Sequence, residues 1–353
     1  MHARILSLFQ PGRFRLFLAL VVLVSHTSRF DLGSWAVYTF FNLSGFWIYR
    51  MWEEKYARTS APALVFYASR LWRILPVFWL VNLASIWALA ERWDPIFNGD
   101  KSRHWGWPAA LAANVLLLGY ANLPYYQGAL RPAWSLDVEF QFYLVFPLLL
   151  YLCTRGPGAR AWRVLLVGAA LAGLVAFLWP TRVGPLHLAD YTAFFLIGAA
   201  AARTHWKPGT GVAAASLWAV AGCVALCWCF PGWRLLFQND KHGATELFTH
   251  YKRIAEVVLA LVSAPLAIAT VHNPSGATDR KLGELTFILY LVHWPIMMVH
   301  AHFFEEVPPL QRIPSIVVAW AAVAAATWMV FAYVDQPIER WRRRWVARRL
   351  VTG

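Results

Sequence analysis

Long apolar stretches joined by short polar segments set the pattern of this chain. Eleven of them lie near 14–30, 34–50, 71–90, 107–122, 138–153, 162–179, 187–203, 211–230, 254–271, 284–303 and 314–334. Most approach the roughly 20 residues that a helix needs to cross a hydrocarbon core. The pattern predicts an all-α polytopic membrane protein, without a convincing internal repeat. Charge in the joints orients the stretches, because basic residues favour the cytoplasmic side. The N-terminal segment is basic, as is the joint with Arg50, Lys55, Arg58, Arg70 and Arg73. So are the joints with Arg155, Arg160 and Arg163, with Arg203 and Lys207, and with Arg280 and Lys281. Both termini should be cytoplasmic. The joints holding Asp94 and Asp100, and Glu305 and Glu306, should face outward.

Two cytoplasmic ends require an even number of crossings, and eleven stretches violate this. The conflict lies between the outward joint at 91–106 and the inward joint at 154–162. Either 107–122 or 138–153 should therefore be re-entrant or interfacial. The shorter stretch, 107–122, which carries Asn114, is preferred. About ten transmembrane helices remain, with 123–137 at or above the outer half of the membrane. An integral membrane domain over 1–339 would be followed by a basic cytoplasmic tail, 340–353.

Composition agrees with this pattern. Of 353 residues, 59% are hydrophobic and only 14% charged, whereas a soluble domain is about a quarter charged. Mean hydropathy is +0.47. The formal charge of +14 fits basic loops and tails better than a nucleic-acid surface. Cys153, Cys223, Cys227 and Cys229 lie in apolar stretches and read as buried small hydrophobes. No metal-ligand set stands out. Arg4, Arg13 and Arg15 precede the first apolar run, but no small-residue cleavage site follows it, so it reads as an uncleaved first span.

Ionisable residues inside spans are costly, and so become functional candidates. Eleven residues separate Arg15 from His26. That is about three turns plus 20°, which puts both on one helix face about 16 Å apart. A guanidinium at the cytoplasmic mouth suits an anionic ligand, and an imidazole deeper in the same crevice suits general-base work. The alternative is a snorkelling arginine and a histidine packed between helices. In the segment Trp134 to Tyr143, Asp137 and Glu139 stand at the start of an apolar helix that Ser135 could cap. A carboxylate there could orient a histidine, or simply favour a helix N-terminus. Arg70 and Arg73, three apart on a helix, could bind a polyphosphate or reflect charge bias alone. Tyr290, His293 and Pro295 share a long span, where Pro295 frees a carbonyl that could help build a polar pocket. His26 and Asp31 match the His-x4-Asp spacing of glycerolipid acyltransferases, but on a continuous helix they would diverge by about 140°, so that pattern is set aside.

These pieces together resemble the acyltransferase-3 family of integral membrane acyltransferases. The resemblance covers roughly residues 10 to 345. It rests on Arg15 and His26, on Ser44-Gly45-Phe46 at the end of the second span, and on Arg70 to Pro76. It rests further on the block 134–143, the block 282–295, and Pro337, Glu339 and Arg340. The 134–143 block is the most specific of these; here Phe140 follows Glu139, where the family often has a second Glu. The resemblance implies transfer of an acyl group, commonly acetyl from acetyl-CoA, to a hydroxyl of a cell-envelope carbohydrate or lipid-linked glycan. It implies that Arg15, Arg70 and Arg73 receive the CoA phosphates, that His26 handles the proton or acyl group, and that Glu139 supports it. Ser44, Gly45, Phe46, Trp134, Ser135, Asp137, Tyr143, Tyr290 and His293 would line or shape the site. No metal is implied. The resemblance also implies a bacterial inner-membrane setting and no nucleic-acid partner, and the chain resembles the stand-alone type. The rival class is a secondary transporter or flippase for an envelope precursor.

Overall fold

The computed structural model describes residues 9–88, 107–123, 128–179, 187–238, 246–304, 307–308 and 310–350. The joint 91–106 with Asp94 and Asp100, and Glu305 and Glu306, lie outside the described residues. The regular elements described are helical, with two isolated bridges, Phe30 to Gln238 and Thr59 to Leu350. In chain order the main helices are α1 (Pro11–Thr27), α2 (Gly33–Glu54), α3 (Pro62–Ala88), α4 (Trp107–Leu116), α5 (Trp134–Thr154) and α6 (Ala159–Phe177). They continue as α7 (Leu188–Arg203), α8 (Thr210–Cys229), α9 (Glu246–Val271), α10 (Ala277–Phe304), α11 (Ile313–Val330) and α12 (Gln336–Ala347). A π-helical turn, Phe331–Asp335, links the last two. Each apolar stretch of the sequence falls on one of these helices.

Seven helical segments among the described residues are long and apolar enough to cross a bilayer: α3, α5, α6, α8, α9, α10 and the run from α11 through α12. Their environments differ. Only 11% of the α6 window is buried, against 61% for α9 and α10. Three further helices depart from that pattern. α1 has 17 residues, α7 has 16, and α2, with 22, buries Thr39 and Asn42. α4 has ten residues and rises only about 15 Å, half a hydrocarbon core. Leu117, at φ 57°, and Gly119, at φ 74°, turn the chain away from the helix after it. That length agrees with the expectation that 107–122 does not cross.

The chain divides into two compact units. One comprises residues 1–54 and 149–286, the other 55–148 and 287–353. In the first unit, α2 and α7 meet backbone to backbone. A β-carbon at Gly45 would fall on the Phe195 carbonyl, and one at Gly198 on the Asn42 carbonyl. Only glycine permits this approach. Stacked rings flank the contact, with Tyr38 and Phe194 at 5.1 Å and Phe41 and Phe195 at 4.8 Å. In the second unit, α3 carries polar anchors to the loop region. Asn82 Nδ2 lies 3.3 Å from Asn114 Oδ1, and Ser85 donates to the Ala129 carbonyl at 2.9 Å.

Three sequence expectations need correction. Ser44, Gly45 and Phe46 sit in the middle of α2 rather than at its end, because the helix runs on through its polar last turns to Glu54. Ser135 does not cap α5. A short turn, Arg131–Ala133, leads straight into the helix, and the Ser135 hydroxyl donates back to the Pro132 carbonyl at 3.1 Å. Cys223 and Cys229 are exposed on α8, not buried, while Cys153 and Cys227 are buried; all four are free thiols.

Candidate active site

In the first unit the site begins at the start of α1. This helix opens Pro11-Gly12 after Gln10, which supplies no side-chain cap. Its first amide groups therefore need acceptors from elsewhere. Asp279, 2% exposed at the start of α10, provides them. Its carboxylate accepts from the Gly12 amide at 3.0 Å, the Arg13 amide at 2.8 Å and the Ser275 hydroxyl at 2.5 Å. Gly12 and Gly283 make room for this join. A β-carbon at Gly283 would meet the Gly12 Cα at 3.3 Å and Arg15 Nη1 at 3.7 Å. The half-buried Arg15 guanidinium is thus held beside the first turns of α10.

Arg15, Ala19, Val22 and His26 follow one stripe of α1. Ala19 is 0% and Val22 2% exposed, so protein covers the stripe between the two polar residues. His26 itself is exposed, one residue before the helix ends. The chain then folds back. Leu32 donates its amide to Ser25 Oγ at 3.1 Å, and Asp31 pairs with Lys252 at 2.6 Å. Because α1 stops at Thr27, His26 and Asp31 do not share a helix, and Asp31 is engaged elsewhere. On α2, Ser44 is half-buried, Gly45 lies against α7, and Phe46 is buried edge-on to His272 at 5.7 Å. Burial lowers the pKa of His272. The hydrogen bond to the Trp206 carbonyl opposes this, and Lys207 and Arg50 add to it.

The second unit holds two groups of candidate residues. The first surrounds Arg70, on α3. Its guanidinium is enclosed by the rings of Tyr56, Phe66 and Tyr143, at 5.5, 5.6 and 5.6 Å. It donates to the Tyr56 hydroxyl at 2.8 Å. Tyr143 in turn donates to Glu139 Oε1, one turn earlier on α5. Tyr56 lies in the turn before α3. Burial alone would raise its phenol pKa, but Arg70, Arg342 and the Ser69 hydrogen bond bring it below the usual value. Arg73, one turn beyond Arg70, pairs with Asp335 at 3.3 Å and lies 5.6 Å from the Phe287 ring.

The second group joins α5 to α10. Ser135 Oγ and the Tyr290 hydroxyl are 2.8 Å apart, and Tyr290 donates to the Pro132 carbonyl at 3.0 Å. His293, fully buried, places Nδ1 3.2 Å from the Leu289 carbonyl, with its ring 6.0 Å from that of Tyr290. Asp137, also fully buried, accepts from the Ala121 amide at 2.8 Å and from Gln141 at 3.0 Å. It fastens the preceding loop to α5. Trp134 is half-buried at the first turn of that helix.

The structure thus gathers Glu139, Tyr143 and Arg70 in one cluster, and Ser135, Tyr290 and His293 in another. Arg15 and His26 occupy the first unit. Sequence reasoning missed Asp279 and Gly12, and gave Gly283, inside the block 282–295, no part in fixing the start of α1. The signal was present as a helix beginning without Ser, Thr, Asp or Asn to cap it. No group of three or more metal-ligating side chains occurs among the described residues.

A family model described as an acyltransferase domain matches residues 1–334. Acyltransferase MdmB of Streptomyces mycarofaciens is 26% identical to the chain, over 75% of this chain and 68% of that protein. Nodulation protein 10 of Rhizobium leguminosarum bv. viciae is 27% identical, over 95% of this chain and 94% of that protein. No solved structure matches.

Proposed function

Because the chain belongs to the acyltransferase-3 family, we propose that it moves an acyl group, acetyl in the simplest case, from cytoplasmic acyl-CoA to a hydroxyl of an envelope or exported carbohydrate. It is an acyl-transferring membrane protein by family; donor, acyl group and acceptor are the proposal. The setting is a bacterial inner membrane. Adding α1, α2 and α7 to the seven apolar spans gives ten crossings with both termini cytoplasmic, and α4 stays on one side.

His26 acts as the general base. A thioester is already activated, so the reaction asks chiefly for positioning and for a base within reach of the acceptor hydroxyl. The imidazole takes the hydroxyl proton as that oxygen attacks the thioester carbonyl carbon. The carbon–sulfur bond then breaks, and the thiolate leaves with a proton returned from the imidazolium. Arg15 meets the CoA phosphates. In the second unit Arg73 is paired with Asp335, and Arg70, enclosed by three rings, holds Tyr143 and through it Glu139; the proposed phosphate-binding role of these two arginines rests on the family resemblance. Glu139 is a positioning carboxylate, and Ser135, Tyr290 and His293 shape the acceptor side.

The observation that carries this reading is the stripe on α1. A face turned to lipid would leave Ala19 and Val22 exposed, yet they are 0% and 2% exposed between the guanidinium and the imidazole. The test is transfer of radiolabelled acetyl from acetyl-CoA to envelope material by the purified chain. His26→Ala should lose roughly 100- to 10,000-fold of the rate and keep the fold. Activity surviving in that variant removes His26 as the base. Envelope glycans from cells lacking the protein should lose an acyl mass.

A further inference from the structure

We propose that α12 is a docking face for anionic phospholipid headgroups, held rigid against α3 at the edge of the hydrocarbon layer. Its depth follows from length. α11 carries no charged residue over its 18 positions, Ile313–Val330. It rises about 27 Å, close to one hydrocarbon thickness. The helical run continues without a break through α12, 35 residues in all. That is about 52 Å, so α12 emerges in the headgroup layer. Two exposed aromatics mark the level: Trp341 on α12 and Trp72 on α3, with ring centroids 4.5 Å apart. Trp is enriched at this depth because its ring is apolar and its N–H needs a wet partner.

Charge then separates across the helix. From Asp335 to Leu350 there are six arginines and two acids. Both acids, Asp335 and Glu339, are buried on the α3 side. Glu339 takes Arg342 and Arg343, and Asp335 takes Arg73. Arg342 also donates to Ser69 of α3. The opposite stripe, Arg340, Arg344 and Arg348 at successive four-residue spacings, is exposed. This face therefore offers guanidiniums on a fixed backbone, where a phosphodiester layer begins. Each basic residue near an anionic surface adds about a fivefold preference for it.

The experiment uses the full chain in nanodiscs of equal phosphatidylglycerol and phosphatidylcholine. Lipids retained after a detergent wash are counted by native mass spectrometry. The unaltered protein should retain phosphatidylglycerol in preference. The variant R340Q/R344Q/R348Q should reduce that ratio on the order of a hundredfold, while R340K/R344K/R348K keeps most of it. Equal retention of the two lipids by the unaltered protein overturns the proposal, as does an unchanged ratio in the glutamine variant. Displacement of the retained lipid by free CoA also overturns it, because the face would then serve a soluble phosphate. If the glutamine variant does not fold, salt decides. Raising it from about 0.05 to about 0.5 M should erase the preference, and a preference that persists rejects the headgroup reading. None of these readouts depends on acyl transfer.

Discussion

Each unit holds a buried acidic residue, Glu339 in the second and Glu256 in the first, and the two are bonded in opposite ways. In the second unit, the cluster of Glu339, Arg342, Arg343 and Ser69 satisfies its carboxylate completely. Glu339 accepts from Arg342 Nε at 2.7 Å, from Arg342 Nη2 at 2.6 Å and from Arg343 Nε at 2.6 Å. In the first unit, Glu256 on α9 is 4% exposed and is contacted by Ser34 of α2 through side chain and backbone. Its Oε1 has no hydrogen-bond partner among the described residues. Lys252, one turn earlier, gives its ammonium to Asp31 at 2.6 Å and to the Gln238 carbonyl at 3.1 Å. The contrast separates a carboxylate that fastens elements together from an acidic group the fold merely tolerates. Removing one partner of a fully paired buried ion leaves the other stranded, whereas replacing an incompletely bonded buried carboxyl by an amide strands nothing.

One substitution made at both places tests this directly. Glu339→Gln should lower stability by about 3–5 kcal/mol, read as a lower thermal unfolding midpoint in detergent. It strands Arg342 and loosens α12 from α3. An unchanged midpoint would mean that the cluster is not a fastener. Lys252→Met should cost roughly 1–2 kcal/mol, because the Asp31 pair is only partly buried. Protease sensitivity of the segment between His26 and α2 should rise in that variant, and an unaltered digestion pattern would show that the pair does not order it. Glu256→Gln should change stability least, by about 1 kcal/mol or less in either direction. A loss as large as that at Glu339 would erase the distinction between the two clusters.

Much of the architecture was legible along the chain. The eleven apolar stretches each became a helix, and the short one, 107–122, proved to hold a helix of ten residues. Helix formation in an apolar stretch is local, since the backbone satisfies itself within the segment. Helix ends were less legible. α2 runs to Glu54 because a helix leaving an apolar layer can continue in polar residues, so the limit of hydropathy is not the limit of the helix. Exposure of Cys223 and Cys229 was hidden for a related reason. In a helix apolar all round, composition does not distinguish the covered face from the open one.

The candidate chemistry divides along the same line. The residue types, their order and the shared face of Arg15 and His26 follow from the sequence, because helical periodicity alone sets them. Which charges pair does not follow. Asp279 reaches α1 across more than 260 positions, Asp335 reaches Arg73 across a similar distance, and Arg70 is enclosed by rings from three separate segments. Such contacts depend on how helices pack side by side, where glycines such as Gly45 and Gly198 set the separation. The chain by itself determined the helices and their polar inventory; packing alone decided which guanidiniums are enclosed or paired within the protein and which stand at its surface.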